Sequence, residues 1–218
     1  MRRWFSALVV LLGMAGVGMA ATASVASAAK PACRVVDTNA GRSYTSLQDA
    51  VTAASAGDRL FVKGTCFSIV EIGKNLTIAG QSAGGTKTAT LSGGGQSNVL
   101  TIDPGVTVTL NTLIITNGAA PFGGGILNAG TVTLNGSTVT GNTAFGGGGG
   151  SGGGGIFNHG TLTLNGSTVT GNTAPNASGG GIFNDCGGTL VGAVAAPAPG
   201  ANVFANTPDN IFFNNVCP

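Results

Sequence analysis

A tandem repeat in the second half of the chain constrains the fold more than any other feature of the sequence. Residues 129–144 read AGTVTLNGSTVTGNTA and residues 159–174 read HGTLTLNGSTVTGNTA, so only two of the sixteen positions differ. A block of Gly-Gly-Ile, then Leu or Phe, then Asn precedes both copies and follows the second, with its isoleucine at Ile126, Ile156 and Ile182. These isoleucines are 30 and then 26 residues apart, and repeats of that length indicate a solenoid.

The pattern within each repeat indicates β-strands. Polar and apolar residues alternate in TVTL at 131–134 and again in STVT at 137–140, and both segments are rich in β-branched residues. Asn135 and Gly136 lie between them and tolerate positive φ. Helix is disfavoured by so much glycine and threonine. We therefore predict that each repeat forms three short strands separated by corners, and that the chain is an all-β, right-handed parallel β-helix.

The same alternation predicts which side chains face the interior of the solenoid. Six apolar residues are expected there: Val132, Leu134 and Val139, with their counterparts Leu162, Leu164 and Val169. Asn142 and Asn172 fall at a corner, where their amides are expected to form a hydrogen-bonded ladder between coils. A weaker copy, TVTLN at 107–111, lies 24 residues before the same letters at 131–135. The solenoid is therefore expected to extend upstream of the clear repeats.

The beginning of the chain has the pattern of a secretory signal peptide. Arg2 and Arg3 precede an apolar stretch over residues 7–20, and Ala-Ser-Ala at 26–28 predicts cleavage after Ala28. We therefore expect residues 1–28 to be removed and the mature protein to be secreted, with attachment to the cell surface possible. No later apolar run has the length of a membrane span. A retained membrane anchor is the less favoured alternative.

The mature chain, 29–218, is predicted to be one β-helix domain. Its parts are an N-terminal cap with the first coils over 33–98, repeat coils over 99–192 and a closing segment over 193–218. Thr45 and Gln48 fit a capping box that begins a short helix. Such a helix would cover the end coil of the solenoid, which otherwise exposes apolar side chains.

The charged residues of the mature chain are few and unevenly distributed. Without Arg2 and Arg3 there are seven basic and seven acidic residues, so the formal net charge is zero. Binding of nucleic acid requires a clustered basic surface, and we expect no nucleic-acid partner. All seven basic residues lie between Lys30 and Lys87, and the acids after Lys87 are Asp103, Asp185 and Asp209. Much of the chain is therefore nearly free of ionisable groups.

Four cysteines remain after cleavage, and an even number in an exported protein favours disulfides over free thiols. Short metal-binding spacings are absent, so neither a metal site nor a cofactor is expected. Four cysteines allow three pairings. We prefer Cys33 with Cys66 and Cys186 with Cys217, because each pair lies at one end of the chain and flanks the repeats.

The repeat resembles those of known β-helix proteins. GGGI followed by Leu or Phe and Asn, and then VTGNTA, is similar to the short repeats of polymorphic outer-membrane proteins. It is more similar to the repeats of secreted bacterial proteins of the pectin-lyase-like superfamily. Residues 44–51 and 74–80 resemble the beginning of such folds. The resemblance implies the β-helix, and it implies an enzyme that cleaves or de-esterifies acidic polysaccharides as one alternative function.

The residues that such chemistry needs are not brought together by the repeats. Lyases of this kind need carboxylates that hold Ca²⁺ and a basic residue, and hydrolases or esterases need two or three neighbouring carboxylates. Asp103, Asp185 and Asp209 are scattered along the chain. His159 takes the place of Ala129 at a turn, without an acidic partner in its own repeat, and is expected to be a solvent-exposed corner residue. We therefore expect no catalytic residues.

The sequence favours a non-catalytic extracellular protein that binds glycans or surface proteins, as in adhesion or a matrix. There are two alternative functions. The first is the polysaccharide-active enzyme, and the second is an ice-binding protein. Outward threonines at Thr131, Thr133, Thr161 and Thr163 would form an array resembling those of threonine-patterned antifreeze β-helices. Outward threonine is also common simply as strand-forming surface. The oligomeric state is left open.

A possible partner surface follows from the position after each repeat isoleucine. If Ile126 and Ile156 face the core, alternation places Leu127, Phe157 and Phe183 outward in one stripe. Exposed apolar stripes often mark interaction surfaces, and this one is expected to serve self-association or stacking on sugar rings. The alternative is that a corner turns these side chains inward.

Overall fold

The computed structural model describes residues 32–67, 69–83, 86–87, 89–146, 152–198 and 200–214. The chain passes repeatedly from one parallel sheet to a second and a third, and completes about five turns. The predicted right-handed parallel β-helix with a short N-terminal helix is thereby confirmed. The predicted signal peptide lies outside the described residues.

Each turn contributes one strand to each of three sheets, here called sheets 1, 2 and 3 in the order in which the chain meets them. The parallel strands of sheet 1 are β3 (Arg59–Lys63), β6 (Leu76–Gly80), β11 (Thr107–Asn111), β15 (Thr131–Asn135), β19 (Thr161–Asn165) and β22 (Thr189–Val191). Those of sheet 2 are β4 (Thr65–Phe67), β9 (Thr90–Ser92), β12 (Ile114–Thr116), β16 (Thr138–Thr140), β20 (Thr168–Thr170) and β23 (Val203–Phe204). Those of sheet 3 are β5 (Val70–Ile72), β10 (Leu100–Ile102), β14 (Ile126–Asn128), β18 (Ile156–Asn158), β21 (Ile182–Asn184) and β24 (Ile211–Phe213).

The remaining elements lie at the N-terminal end or at corners. Antiparallel strands β1 (Arg34–Asp37) and β2 (Arg42–Tyr44) extend sheet 1 beyond β3. The helix α1 (Leu47–Ala53) follows β2. Two short pairs complete the set: antiparallel β7 (Ser82–Ala83) with β8 (Thr86–Lys87), and parallel β13 (Ala119–Ala120) with β17 (Thr143–Ala144).

The repeats stack in register, residue upon residue. Val132 pairs with Leu162 and Leu134 with Leu164 in sheet 1, while Val139 pairs with Val169 in sheet 2. All six side chains predicted to face the interior are buried there. Asn135 is followed by Gly136 at φ 54° and Asn165 by Gly166 at φ 56°. These left-handed glycines turn the chain from sheet 1 to sheet 2 at the predicted corner.

Asparagine ladders join the coils inside the solenoid. Nδ2 of Asn142 donates to Oδ1 of Asn172 over 3.0 Å, which confirms the predicted ladder. A second ladder, which the sequence analysis did not identify, lies at the end of sheet 3. There Nδ2 of Asn128 donates to Asn158, and Nδ2 of Asn158 donates to Asn184, both over 2.7 Å. These amides are buried, so each hydrogen bond satisfies groups that water does not reach.

The N-terminal end is closed by α1, which buries Leu47, Ala50 and Val51 against the first coils. The N-cap is Ser46 rather than the predicted Thr45, and its hydroxyl accepts from the backbone N–H of Asp49 over 3.3 Å. The capping pair is therefore shifted by one residue. A serine or threonine hydroxyl at the N-cap accepts a hydrogen bond from the backbone N–H three residues later, and Ser46 is the residue in that position.

The disulfide between Cys33 and Cys66 joins this cap to the first strand of sheet 2, as predicted. Cys186 is also disulfide-bonded, and Cys217, its predicted partner, lies outside the described residues. Within the described parts of the chain, no helix has the length and apolar character that a membrane crossing requires.

Candidate functional site

The outward side of sheet 1 carries threonines in two columns that run along the solenoid axis. Strand alternation directs Val132 and Leu134 into the core and Thr131 and Thr133 away from it. Strand pairing then places Thr107, Thr131, Thr161 and Thr189 in one column and Thr77, Thr109, Thr133 and Thr163 in the other. We call this surface, with the asparagine column beside it, the threonine face.

The asparagine column consists of Asn111, Asn135 and Asn165 at the last position of three successive sheet 1 strands. Nδ2 of Asn135 donates to Oδ1 of Asn111 over 2.7 Å, and Nδ2 of Asn165 donates to Oδ1 of Asn135 over 3.0 Å. The amides therefore hold one another in a fixed orientation along the edge of the face. The backbone hydrogen bonds of the sheet hold the threonines in the same way, so the face is organised before any ligand arrives.

The dimensions of the threonine face follow from strand geometry. Alternate residues of one strand are about 6.7 Å apart, and neighbouring coils are about 4.8 Å apart. Strands β6, β11, β15, β19 and β22 contain no charged residue. Thr131, Thr133, Thr161 and Thr163 are half-buried by their neighbours, so each presents part of a hydroxyl and part of a methyl group. The result is a regular, uncharged surface that offers both hydrogen bonds and apolar contact.

Four threonines of this face were predicted from the clear repeats, and the other four were not. Thr107 and Thr109 lie in the weaker upstream copy, and Thr189 lies in a last copy reduced to the letters GGTLV at 187–191. Thr77 follows no recognisable repeat and is placed only by the pairing of β6 with β11. The letters G-T-[VL], in which the threonine is Thr131, Thr161 or Thr189, are the signal that would have extended the column downstream.

Sheet 2 has a similar but less complete array of threonines. Thr138 and Thr140 pair with Thr168 and Thr170 in the neighbouring coil. One coil earlier the first of these columns has Ile114, whereas the second continues to Thr116 and then to Ser92. One coil later the second column has Phe204. In sheet 2, therefore, only one column is polar beyond the two repeat coils, whereas sheet 1 has two threonine columns of four coils each.

The predicted partner stripe lies on the outward side of sheet 3, but its members differ in exposure. Leu127 and Phe157 are half-buried, and Phe183 is only 2% exposed although it is not part of the interior core. The ring of Phe183 stacks on Phe157 and on Phe212, with ring centroids 5.2 Å apart in both pairs. Phe122 meets Phe157 edge to face at 5.5 Å.

This stacking has a consequence for how the stripe could meet a partner. The two faces of the Phe183 ring are covered by Phe157 and Phe212, so neither face is open to a sugar ring. The sequence predicted either that these side chains form an exposed outward stripe or that they turn inward. In the structure they lie on the outward side of sheet 3 and are buried to different degrees by one another. Phe122 and Phe212 were not identified as members, because they lie in a loop and in the divergent last coil. A role of the stripe in partner binding stays a prediction.

His159 lies at an exposed corner, as predicted, but it has an acidic partner in the next coil. Its Nδ1 is 2.9 Å from Oδ2 of Asp185, and Nδ2 of Asn214 donates to the other carboxylate oxygen over 2.9 Å. Burial raises the pKa of the Asp185 carboxyl, but hydrogen bonds from Asn214, the Cys186 backbone and His159 together bring it below its ordinary value. The pair therefore joins two neighbouring coils near the C-terminal end, and Asn214 joins Asp185 to the last coil.

Three of the other carboxylates accept hydrogen bonds from backbone N–H groups. Asp209 accepts hydrogen bonds from the backbone N–H groups of Gly179 and Gly180. Asp37 accepts from Asn39 and Ala40, and Asp58 accepts from Ser55. Asp103 lines a small depression near Glu71 and Lys74 at the N-terminal end. Among the described residues, no three side chains of His, Cys, Asp or Glu are grouped so that they could hold a metal ion.

No family model matches the chain, and no match was found among curated proteins or solved structures. The fold and its surfaces are therefore the basis for a functional proposal.

Proposed function

We propose that this is a secreted, non-catalytic binding protein whose threonine face holds neutral extracellular glycans. Its role would be attachment at a cell surface or within an extracellular matrix. The observation that carries the proposal is the uncharged double column of threonines, four coils long, on the outward side of sheet 1.

The chemistry of the face matches that of an extended glycan. A sugar ring presents hydroxyl groups at its edge and C–H groups on its surface, and a half-buried threonine offers a hydroxyl and a methyl group. β-1,4-linked chains are straight ribbons whose rings succeed one another at nearly the spacing of the coils, about 4.8 Å. Successive rings of such a ribbon face opposite ways, so a chain lying along the columns would repeat the same weak contact in alternate coils, and such repeated contacts add up in affinity. Because the face is rigid, little conformational entropy is lost when the chain binds.

The proposal of a non-catalytic protein is supported by what the carboxylates do. Asp185 is engaged by His159 and Asn214, and Asp209 by two backbone N–H groups. Both are thereby occupied in holding coils together. We also propose that the chain is a member of the pectin-lyase-like superfamily, with repeats related to those of polymorphic outer-membrane proteins. The three-sheet coil and the N-terminal helix support that kinship. Because enzymes of this superfamily act on polysaccharides, a polysaccharide lyase or esterase is the alternative function.

The test is retention of the oxidised mature chain, 29–218, on insoluble cellulose, chitin and β-1,3-glucan. We expect retention on at least one of them, with a β-1,4-linked glycan preferred. In T133Q/T163Q, long side chains block one column in two coils, and we expect binding about tenfold weaker because repeated contacts are lost together. The matched control is T140Q/T170Q, which makes the same change in the same repeats on sheet 2.

Three results would contradict the proposal. One is no retention on any of these glycans, and another is equal weakening by the two double substitutions. The third is reproducible cleavage of pectate or alginate by the pure protein, which would favour the enzyme. Assays of both substrates belong beside the binding measurements.

Ice binding is the second candidate, and the regularity of the threonine face in two dimensions favours it. A crystal surface requires matching positions in both directions, and the columns provide fixed spacings along and across the strands. Thermal hysteresis and ice-crystal shape distinguish it from glycan binding. Activity lost in T133Q/T163Q and kept in T140Q/T170Q, without glycan retention, would establish ice as the ligand.

A further inference from the structure

The threonine face ends in a group of cations at its N-terminal edge. Arg59 and Lys63 occupy outward positions of β3, and Arg34 occupies an outward position of β1; all three are exposed. Arg34 is directly opposite Lys63 in the antiparallel pair of β1 and β3. Arg59 pairs with Thr77 and therefore stands at the head of one threonine column. Strand geometry places Arg59 and Lys63 about 13 Å apart.

Among the residues that the structure describes, no acidic side chain neutralises these cations. Asp37 and Asp58 are turned away from this surface, nearly buried, and bonded to turn N–H groups. Asp49 lies in α1, and Glu71 is in sheet 3. Within the described part of the chain, no carboxylate lies within salt-bridge distance of Arg34, Arg59 or Lys63. The edge is therefore a one-signed patch in a protein whose mature chain has a formal net charge of zero.

A cavity lies at the same edge and gives the patch a binding geometry. It has a volume of about 570 Å³ and is lined by Ala32, Cys33, Arg34, Ser43, Tyr44, Thr45 and Lys63. That volume is in the range of small-ligand sites. Arg34 and Lys63, which face each other across β1 and β3, are both among its walls. Tyr44 and the Cys33 disulfide contribute apolar surface beside the charges.

The chemistry of the patch selects an oxyanion. A guanidinium group donates in a planar fork that fits carboxylate and phosphate, and an ammonium group adds a compact point charge. The threonine columns beyond Arg59 are uncharged over four coils, so they offer no counter-charge to a polymer that is anionic throughout. The complementary ligand is neutral along most of its length and carries negative charge at one end.

We propose that the cationic edge binds a phosphate or carboxylate group at one end of the neutral glycan that lies on the threonine face. This inference rests on the proposed glycan function and adds a direction to it, because the charged end fixes which way the chain runs along the columns. Binding of the charged end is weakened by salt, since exposed charges are screened over about 8 Å at physiological ionic strength. Contacts of the threonine columns are much less sensitive to salt.

The experiment compares three hexasaccharides by calorimetry on the mature chain: cellohexaose, its aldonic acid and its 1-phosphate. At low salt we expect the two charged forms to bind on the order of tenfold more tightly than cellohexaose, as hydrogen bonds to charged groups imply. In R34Q/K63Q, which removes the two cations that line the cavity and keeps Arg59, most of this advantage is lost, while cellohexaose binds as before. The control R42Q removes one positive charge from the same hairpin, at a position opposite Asp37 and hence on the other side of sheet 1, and should keep the advantage.

Glucose 1-phosphate and gluconate are too short to span the threonine columns and test the edge separately. Chemical-shift changes at Arg34 and Lys63 with either compound, and none with glucose, support the inference. The compound that causes these changes at the lower concentration shows whether phosphate or carboxylate is preferred. Equal affinity for cellohexaose and its charged forms overturns this inference and leaves the proposed function standing. Loss of the advantage in R42Q as much as in R34Q/K63Q also overturns it. If no hexasaccharide binds but glucose 1-phosphate does, the oxyanion site is retained, and its link to a cello-oligosaccharide on the threonine face is overturned.

Discussion

The N-terminal region and the repeat coils of this protein are held together by different means. Residues 32–72 contain the helix, the antiparallel hairpin, the Cys33–Cys66 disulfide and most of the charged side chains. Residues 126–184 contain stacked strands, asparagine ladders and an aromatic stack. The difference teaches that the middle of a solenoid is stabilised by stacking of equivalent side chains from successive coils, whereas its end needs structural elements that occur only once. The proposed functions divide similarly, with a uniform neutral face along the coils and a charged edge at the cap.

The largest expected effect concerns the aromatic stack of the repeat coils. F157S/F183S removes two stacked phenyl groups, of which Phe183 is almost fully buried. We expect the free energy of unfolding to fall by about 3–6 kcal/mol, because each buried phenyl contributes up to about 3 kcal/mol. The control is F67S in the N-terminal region, where the side chain is 68% exposed and a change under about 0.5 kcal/mol is expected. Urea denaturation measures both. A stable double mutant that has lost self-association would instead favour an exposed partner stripe.

The disulfide tests the N-terminal region in turn. C33S/C66S opens a link between residues 33 apart in sequence, and chain entropy predicts a loss of about 3.5–4 kcal/mol. Because coils couple mainly to their neighbours, hydrogen exchange should accelerate most in residues 32–72 and least in the repeats. Uniform loss of protection throughout the solenoid would show that the two regions unfold as one unit.

Within the repeats, one asparagine ladder is buried and another is exposed, so substitutions in the two ladders compare the stability contribution of the same hydrogen bond with and without burial. N158A removes a buried amide that bonds Asn128 and Asn184, and leaves polar groups of both without that partner. We expect a loss of about 2–3 kcal/mol. N165A removes the corresponding kind of ladder bond on the exposed threonine face, and a loss under about 1 kcal/mol is expected because water replaces the partner. Equal losses by thermal or urea denaturation would contradict a special role of burial.

The smallest effect is expected from the pair of His159 and Asp185. The pKa of Asp185 is lowered in the folded protein, so its ionised form stabilises the fold above the ordinary value of 3.8. That contribution is lost as the pH falls through the folded-state pKa. D185N should therefore show a shallower decline of stability below about pH 4 than the native chain, with a difference under about 1 kcal/mol at neutral pH because His159 is largely exposed. Identical acid unfolding curves would show that the pair contributes nothing.

Local pattern was sufficient for the parts of the fold that repeat. The alternation of TVTLN and STVT predicted the inward positions of Val132, Leu134 and Val139, and identical corners predicted the ladder of Asn142 and Asn172. The even number of cysteines in a chain predicted to be exported, together with their positions, predicted the pairing of Cys33 with Cys66. In each case the information lies within one repeat, or at the ends of the chain, because strand alternation and corner conformation are set by residues close in sequence.

Contacts between coils of unequal length were decided only by the tertiary structure. Along sheet 1 the intervals between paired residues are 24, 30 and 28 in successive coils, so no fixed offset leads from His159 to Asp185 or from Phe183 to Phe212. Thr77 joined the threonine face, and Arg59 came to stand at its head, through strand pairing alone. The sequence by itself determined that the chain would coil and which side of each strand would face inward. Which side chains would meet across coils depended on how many residues each corner loops out, and strand pairing in three dimensions sets that register.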